Sequence, residues 1–247
     1  MSDETPGTDA SAIREPPVVL IPVAVLEGQS VGEPLAEFLA PADVVVLGYH
    51  VLPEQTPTEQ ASMQFEERAR AAVEEIAAAF RDAGGAADAR VAFTHDRDQT
   101  VDRVADEVGA TAVLLPNPTG PIEDLLVALR GAVDAERVAD LVATLLGEGR
   151  VTLWGLGSGT VDAETVTNET RAMLLDHGVP GERVTTKTTD SETPVYDIVE
   201  QSSAYDAIVM GEGGPSVLSA LFGDDTERVA EGAVAPVLVV RAEGERD

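Results

Sequence analysis

The 247-residue chain carries 45 acidic against 16 basic side chains, a formal charge of −29, and no cysteine. The missing thiols exclude disulfides, thiolate metal centres and cysteine nucleophiles, and the charge argues against a nucleic-acid surface, which needs clustered Lys or Arg. At 44% apolar residues and a mean hydropathy of +0.02, the chain can bury a core. No apolar run approaches the ~20 residues of a spanning helix, and Met1 to Pro17 lack the basic-then-apolar order of a signal peptide. A cytoplasmic protein without membrane insertion is therefore expected. Of the basic residues, 15 are Arg and one is Lys, Lys187. Acids in place of surface Lys suit a concentrated-salt cytoplasm, where charges are screened within ~3 Å at 1 M. Because the acids are spread along the whole chain, they predict a halophile-type habitat rather than a dedicated cation site.

After residues 1–17, read as a disordered N-terminus, Val18 to Val23 form a continuous apolar run typical of a strand covered on both faces. A short helix near Pro34 to Ala40 precedes a second such run, Val44 to Leu47. Pro53 and Pro57 punctuate a loop. From Glu59 to Asp82 the spacing is helical, with Phe65, Ala69, Val73, Ile76 and Phe80 on one face and Gly84-Gly85 as a stop. Arg90 to Thr94 reads as a short strand, Val101 to Val108 as a helix, and Ala112 to Leu115 as a buried strand. The rhythm then restarts. Leu125 to Leu129 is a strand, Asp134 to Leu146 a helix with Val138, Leu141, Val142 and Leu145 on one face, and Val151 to Leu156 a strand. Ala163 to Asp176 is a helix closed by Gly178 and Pro180, and Arg183 to Thr188 a β-branched strand. Tyr196 to Ser202 is helical, Ala207 to Met210 a strand, and a helix near Thr226 to Glu231 leads into the Pro236 to Val240 strand.

The halves resemble one another. Thr111 to Leu115 matches Asp206 to Met210 in kind, 95 residues on, and Val19 to Ala24 matches Leu125 to Arg130, 106 residues on. The pattern predicts an α/β protein of two tandem units, residues 18–120 and 121–247, each an open, mostly parallel sheet between helices of the Rossmann-like kind. Asn117 to Pro121 suits neither helix nor interior strand and marks the boundary. After Leu115 the chain runs through Pro116 to Gly120 directly into the opening strand of the second unit, so the first unit reads as truncated.

Ligands of open parallel sheets bind beyond the carboxyl ends of the strands. There the chain runs Ile208-Val209-Met210-Gly211-Glu212-Gly213-Gly214, then Gly223-Asp224-Asp225-Thr226-Glu227-Arg228-Val229, and finally Pro236 to Arg241. Glycines let backbone amides approach a phosphate, and a following helix N-terminus adds positive potential. This segment resembles the C-terminal signature of the universal stress protein family: strand, Gly-x-x-Gly, about nine residues, Gly-Ser/Thr, helix, then a Pro-Val-Leu-Val-Val strand. With the repeat, the resemblance covers nearly all of the chain after residue 17, as a tandem member. Only eight residues separate Gly214 from Gly223, and Asp224 stands where nucleotide-binding members place a hydroxyl that donates to phosphate. An ionised carboxylate cannot donate and repels a triphosphate. Those members also hold an Asp at the end of the first strand; the matching positions here are Ala24 and Arg130. Arg130 suits a phosphate or carboxylate, or a structural ion pair with Asp134 or Asp224.

Other candidates are weaker. Gly155-Leu156-Gly157-Ser158-Gly159 lacks the third glycine of a dinucleotide loop at its proper spacing, and no acid stands clearly at a following strand end. Ser158 is not in a Gly-x-Ser-x-Gly elbow, and His50, His95 and His177 have no second His at ligand spacing. The resemblance implies a non-enzymatic stress-response or regulatory protein acting by protein contact, without a cofactor and with an altered pocket. The alternative is an ATP or AMP sensor using Arg130, Gly211, Gly214, Gly223 and Asp224 of the second unit. A nucleotide-hydrolysing or adenylyl-transferring enzyme finds neither a His-x-Gly-His nor a Ser-Gly-Gly loop after the first strand of either unit. The last strand, Val234 to Ala242, is apolar and lacks a counterpart in the first unit. In the resembled family the last strand commonly pairs antiparallel across an interface, so this strand is expected to pair two chains into a homodimer, the alternative being an edge covered within the chain. Members of the resembled family also occur beside transporters, which makes a transporter one candidate among the unidentified protein partners.

Overall fold

Continuous apolar strands alternating with one-sided helices have one economical solution, a sheet buried on both faces. In the computed structural model, which describes residues 15–25, 31–53, 55, 58–131, 133–157, 162–191, 193–211 and 235–241, this solution is a single sheet of nine strands. In chain order the elements are β1 (Val18–Ala24), α1 (Glu33–Leu39), β2 (Asp43–Val51), α2 (Thr58–Asp82), β3 (Ala86–Thr94), α3 (Arg97–Val108) and β4 (Ala112–Leu115), then β5 (Asp124–Arg130), α4 (Ala135–Leu145), β6 (Arg150–Gly157), α5 (Ala163–Asp176), β7 (Val184–Asp190), α6 (Pro194–Gln201), β8 (Ala207–Gly211) and β9 (Val237–Val240). The helix expected near Thr226 lies outside the described residues. Between β4 and β5, residues 116–123 carry neither helix nor strand.

The sheet order is β3-β2-β1-β4-β9-β8-β5-β6-β7. Read outward from β9, the two halves repeat one pattern, with β1 and β5 equivalent and β4 and β8 equivalent. This equivalence accounts for both sequence matches. Within each half all pairings are parallel. β9 runs parallel to β8, with Gly211 level with Val240, and antiparallel to β4, with Ala112 level with Val240. The halves therefore point in opposite directions, and the carboxyl ends of β5 and β8 lie beside the amino ends of β1 and β4.

The expected edge strand is thus an interior one. Both hydrogen-bonding sides of β9 are occupied within the chain, and Val237 to Val240 are buried, with Leu238 and Val239 fully enclosed. Its apolar sequence reflects burial on both faces, and no side remains for a second copy. The homodimer expected through Val234–Ala242 loses its premise.

One face of the sheet is covered by α1, α2, α4 and α5. Leu35, Leu39, Val73 and Phe80 from the first half and Val138, Leu141, Val142 and Leu174 from the second join one core. The other face packs against α3 and α6 through Val101, Val104 and Ile198, over Trp154 and Val239. The connection is fastened by side chains. Asn117 Nδ2 donates to Ala235 O at 3.1 Å, and the Asp206 carboxylate accepts from the backbone N–H of Glu123 and Asp124 at 3.0 and 2.9 Å. No described helix is long and apolar enough to cross a membrane.

Candidate functional site at the carboxyl ends of β5, β8 and β9

β5 ends in Arg130, and Gly131 turns the chain with a positive φ of 68° toward α4. Asp134 caps that helix, its carboxylate accepting from Arg137 N at 3.0 Å. Two strands away β9 ends at Val240, and Arg241 follows it. The registers Ala128–Met210 and Met210–Val239 place Arg130 and Arg241 at one level, roughly 10 Å apart across two strand spacings. Both continue the face of Ala128 and Val239 rather than that of α4.

The two guanidinium groups differ. Arg241 donates to Asp106 Oδ1 at 2.9 Å and to Asp102 O at 3.4 Å, which ties the end of β9 to α3. Burial raises the Asp102 carboxyl above the ordinary range, against the pull of Arg241 and with help from Asp106, Asp98 and Asp96. Arg130 is exposed and makes no hydrogen bond or ion pair with any described residue. The suggested pair with Asp134 does not form: Arg130 continues the face of the sheet away from α4, and Asp134 caps α4. Asp224, Gly214 and Gly223 lie outside the described residues.

Gly211 is buried at the end of β8, and the sequence alone did not give the reason. A Cβ there would stand 2.6 Å from Val133 Cγ1 and 2.8 Å from Val133 Cβ, closer than packed atoms come. The glycine lets the β5–α4 turn seat on the end of β8. No sequence signal separates such a packing glycine from one that admits a phosphate.

A cleft of about 670 Å³ opens where the turn and α4 meet the amino ends of β1 and β4. Its charged lining is Glu15, Asp134, Glu136 and Asp140 against one cation, Arg137. Arg137 Nη2 donates to Ala110 O of the first half at 3.3 Å, so that cation also serves as a strut between halves. Asp140 meets His177 Nε2 at 2.9 Å.

The remaining sequence candidates take structural places. His50 sits between Phe65 and Phe93, both ring centroids at 6.3 Å, tilted to the first and edge-on to the second, and His95 Nδ1 lies 3.2 Å from Leu52 O. No group of three or more metal-ligating side chains occurs among the described residues. Contrary to the expectation from sequence, an acid does stand at the strand end following Gly155 to Gly159. β7 extends past Thr188 to Asp190, level with Gly157, and the Asp190 carboxylate fills the space a Cβ on Gly157 would need. The run of threonines concealed that extension. Ser158 lies outside the described residues.

No protein-family profile and no curated protein matches the sequence. The structure is similar to that of a universal stress protein from Archaeoglobus fulgidus, with a TM-score of 0.61 and 15% identity over 94% of this chain and 98% of that one. The chain has the universal stress protein fold. Similarities at TM-scores of 0.47 and 0.46, each at 13% identity, reach a functionally unknown protein and a putative universal stress protein of Pseudomonas aeruginosa; they cover 91% of this chain and 92% and 93% of those proteins. Within this universal stress protein fold, Arg130 and Ala24 end the two equivalent strands β5 and β1.

Proposed function

We propose that this chain is a non-enzymatic stress-response regulator of the universal stress protein type, acting through protein contacts, with a nucleotide pocket altered against anions. The observation that carries this reading is the charge around the carboxyl ends of β5 and β8. Four carboxylates and one committed guanidinium line the neighbouring cleft, and Asp224 replaces the expected hydroxyl in sequence. Like charges at such range raise the cost of seating a polyphosphate. The packing of Gly211 on Val133 supports the same view, because the start of the glycine run serves the fold. Titration calorimetry with ATP and with AMP, in concentrated KCl, tests it. No saturable binding in the micromolar range is expected, and a clear isotherm for either nucleotide overturns the altered pocket.

One observation favours a second reading, an adenine-nucleotide sensor in the second half. Arg130 is exposed and without a partner among the described residues, the state expected of a guanidinium kept for a ligand. If binding is found, Arg130→Ala must weaken it at least tenfold for this reading to stand; unchanged affinity discards it.

A further inference from the structure

With β9 in the interior, the outer strands of the sheet are β3 and β7, each paired on one side only among the described residues. An open strand edge offers unpaired N–H and C=O groups to another chain. The direction of these groups on β3 follows from two bonds. Thr94 O faces β2 and accepts from Leu52 N at 2.7 Å, whereas Ala87 O faces away and accepts from Arg81 Nε at 2.9 Å. Because the direction alternates along a strand, Ala87, Ala89 and Val91 turn their backbone groups outward. Asp88 and Arg90 between them are exposed.

We propose that β3 is the docking surface for a second copy of this chain, joined as an antiparallel pair about a two-fold axis normal to the sheet. Such an axis preserves the faces of the sheet, and residues directly opposed in a ladder share a face. Only registers in which one residue meets its own copy are then allowed. Centred on Ala89, Asp88 stands opposite Arg90 of the second copy and Arg90 opposite its Asp88. Centring on Asp88 or Arg90 opposes like charges, and centring on Ala87 or Val91 gives neither an opposite charge. In the Ala89 register, Ala89 exchanges hydrogen bonds with its copy and Ala87 does so with Val91. Asp88 and Arg90 then occupy the non-hydrogen-bonded position, where Cα atoms come to about 4.5 Å and side chains approach most closely.

Ala86, Ala87, Ala89 and Ala92 add little bulk, and a carbonyl oxygen accepts two donors, so Arg81 need not leave Ala87. Among the described residues, Arg90 is held by one long contact, Nη1 to Glu107 Oε2 at 3.4 Å. β7 is the poorer edge. Centred on Lys187 it opposes two ammonium groups, and Lys187 and Asp190 lie on opposite faces, so no allowed register pairs them.

Light scattering of the full chain in concentrated KCl, where the long-range repulsion from the charge of −29 on each copy is screened and side chains in contact across the ladder are screened less, provides the test. A mass of twice 25.8 kDa is expected. Asp88→Arg should raise the dissociation constant at least tenfold, and adding Arg90→Asp to it should restore association by re-forming both pairs with their signs exchanged. Ala89→Pro removes an outward N–H that the chain's own sheet does not use, and should give monomers with an unchanged circular dichroism spectrum. A monomeric parent protein, a dimer indifferent to Asp88→Arg or Ala89→Pro, or a charge exchange that fails to restore association overturns the proposal.

Discussion

Replacing Gly211 with alanine separates a glycine kept for packing from one kept for a phosphate. The new methyl would meet Val133 Cγ1 at 2.6 Å and Val133 Cβ at 2.8 Å, so the β5–α4 turn must shift or Val133 must leave its position. Overpacking of this kind costs about 1–3 kcal/mol. Gly211 is not among the glycines with positive φ, so alanine also narrows the unfolded ensemble and returns about 0.4–1 kcal/mol. At the middle of these ranges the net loss is about 1 kcal/mol, which lowers Tm by roughly 2–4 °C for a chain of this length. Thermal unfolding followed by circular dichroism in concentrated KCl measures it. The cause is checked with Val133→Ala, which removes the nearer of the two atoms. Combined with it, Gly211→Ala should cost less than it does alone, with a coupling of at least about 0.5 kcal/mol. A Gly211→Ala protein that melts like the parent refutes the packing argument and returns Gly211 to the pocket.

Leu238→Ala in the fully buried centre of β9 should cost about 2–5 kcal/mol, and because β9 bonds to both halves, urea titration should still show one transition; two separate transitions would contradict the joined sheet. Asp134→Ala removes the cap of α4 and should cost about 1 kcal/mol, read as a lower urea midpoint; an unchanged midpoint would count against the cap. The paired hydrogen bonds from Arg150 hold the Asp124 carboxyl below its ordinary value of 3.8. Its stabilising contribution is therefore complete above that value and lost as pH falls through the lowered native one. Asp124→Asn should be less stable than the parent at neutral pH, with the difference shrinking in acid; a gap that persists in acid would refute the assignment. Lys187 Nζ lies 4.2 Å from the ring centroid of the chain's one tryptophan, Trp154. Lys187→Met should cost about 0.5–1 kcal/mol and shift the Trp154 emission, whereas an unmoved spectrum would argue against the contact.

The elements were legible where side-chain chemistry is periodic. The α2 spacing of Ala69, Val73, Ile76 and Phe80 and the α4 spacing of Val138, Leu141, Val142 and Leu145 correspond to buried faces. β3 is longer than its sequence suggested, beginning at Ala86 rather than Arg90. Ala and Asp have little strand preference of their own, and that stretch is extended because β2 pairs with all of it from Asp43 to Val51. At the candidate site, the place of Arg130 at a strand end followed from the apolar run before it. Its lack of a partner among the described residues goes with its place on the face away from α4, while Asp134 caps that helix, a placement that composition does not reveal.

Sequence alone determined that this chain builds parallel strands between helices, twice over, because burial on two faces and on one leave different apolar spacings. Only the tertiary structure decided what lies beside each strand. Val237 to Val240 would read the same at an edge or in the interior, since the hydrogen-bonding sides of a strand are backbone and carry no side-chain signal. Enclosed between β4 and β8, that strand makes one sheet of the two halves and leaves β3 and β7 as its outer strands.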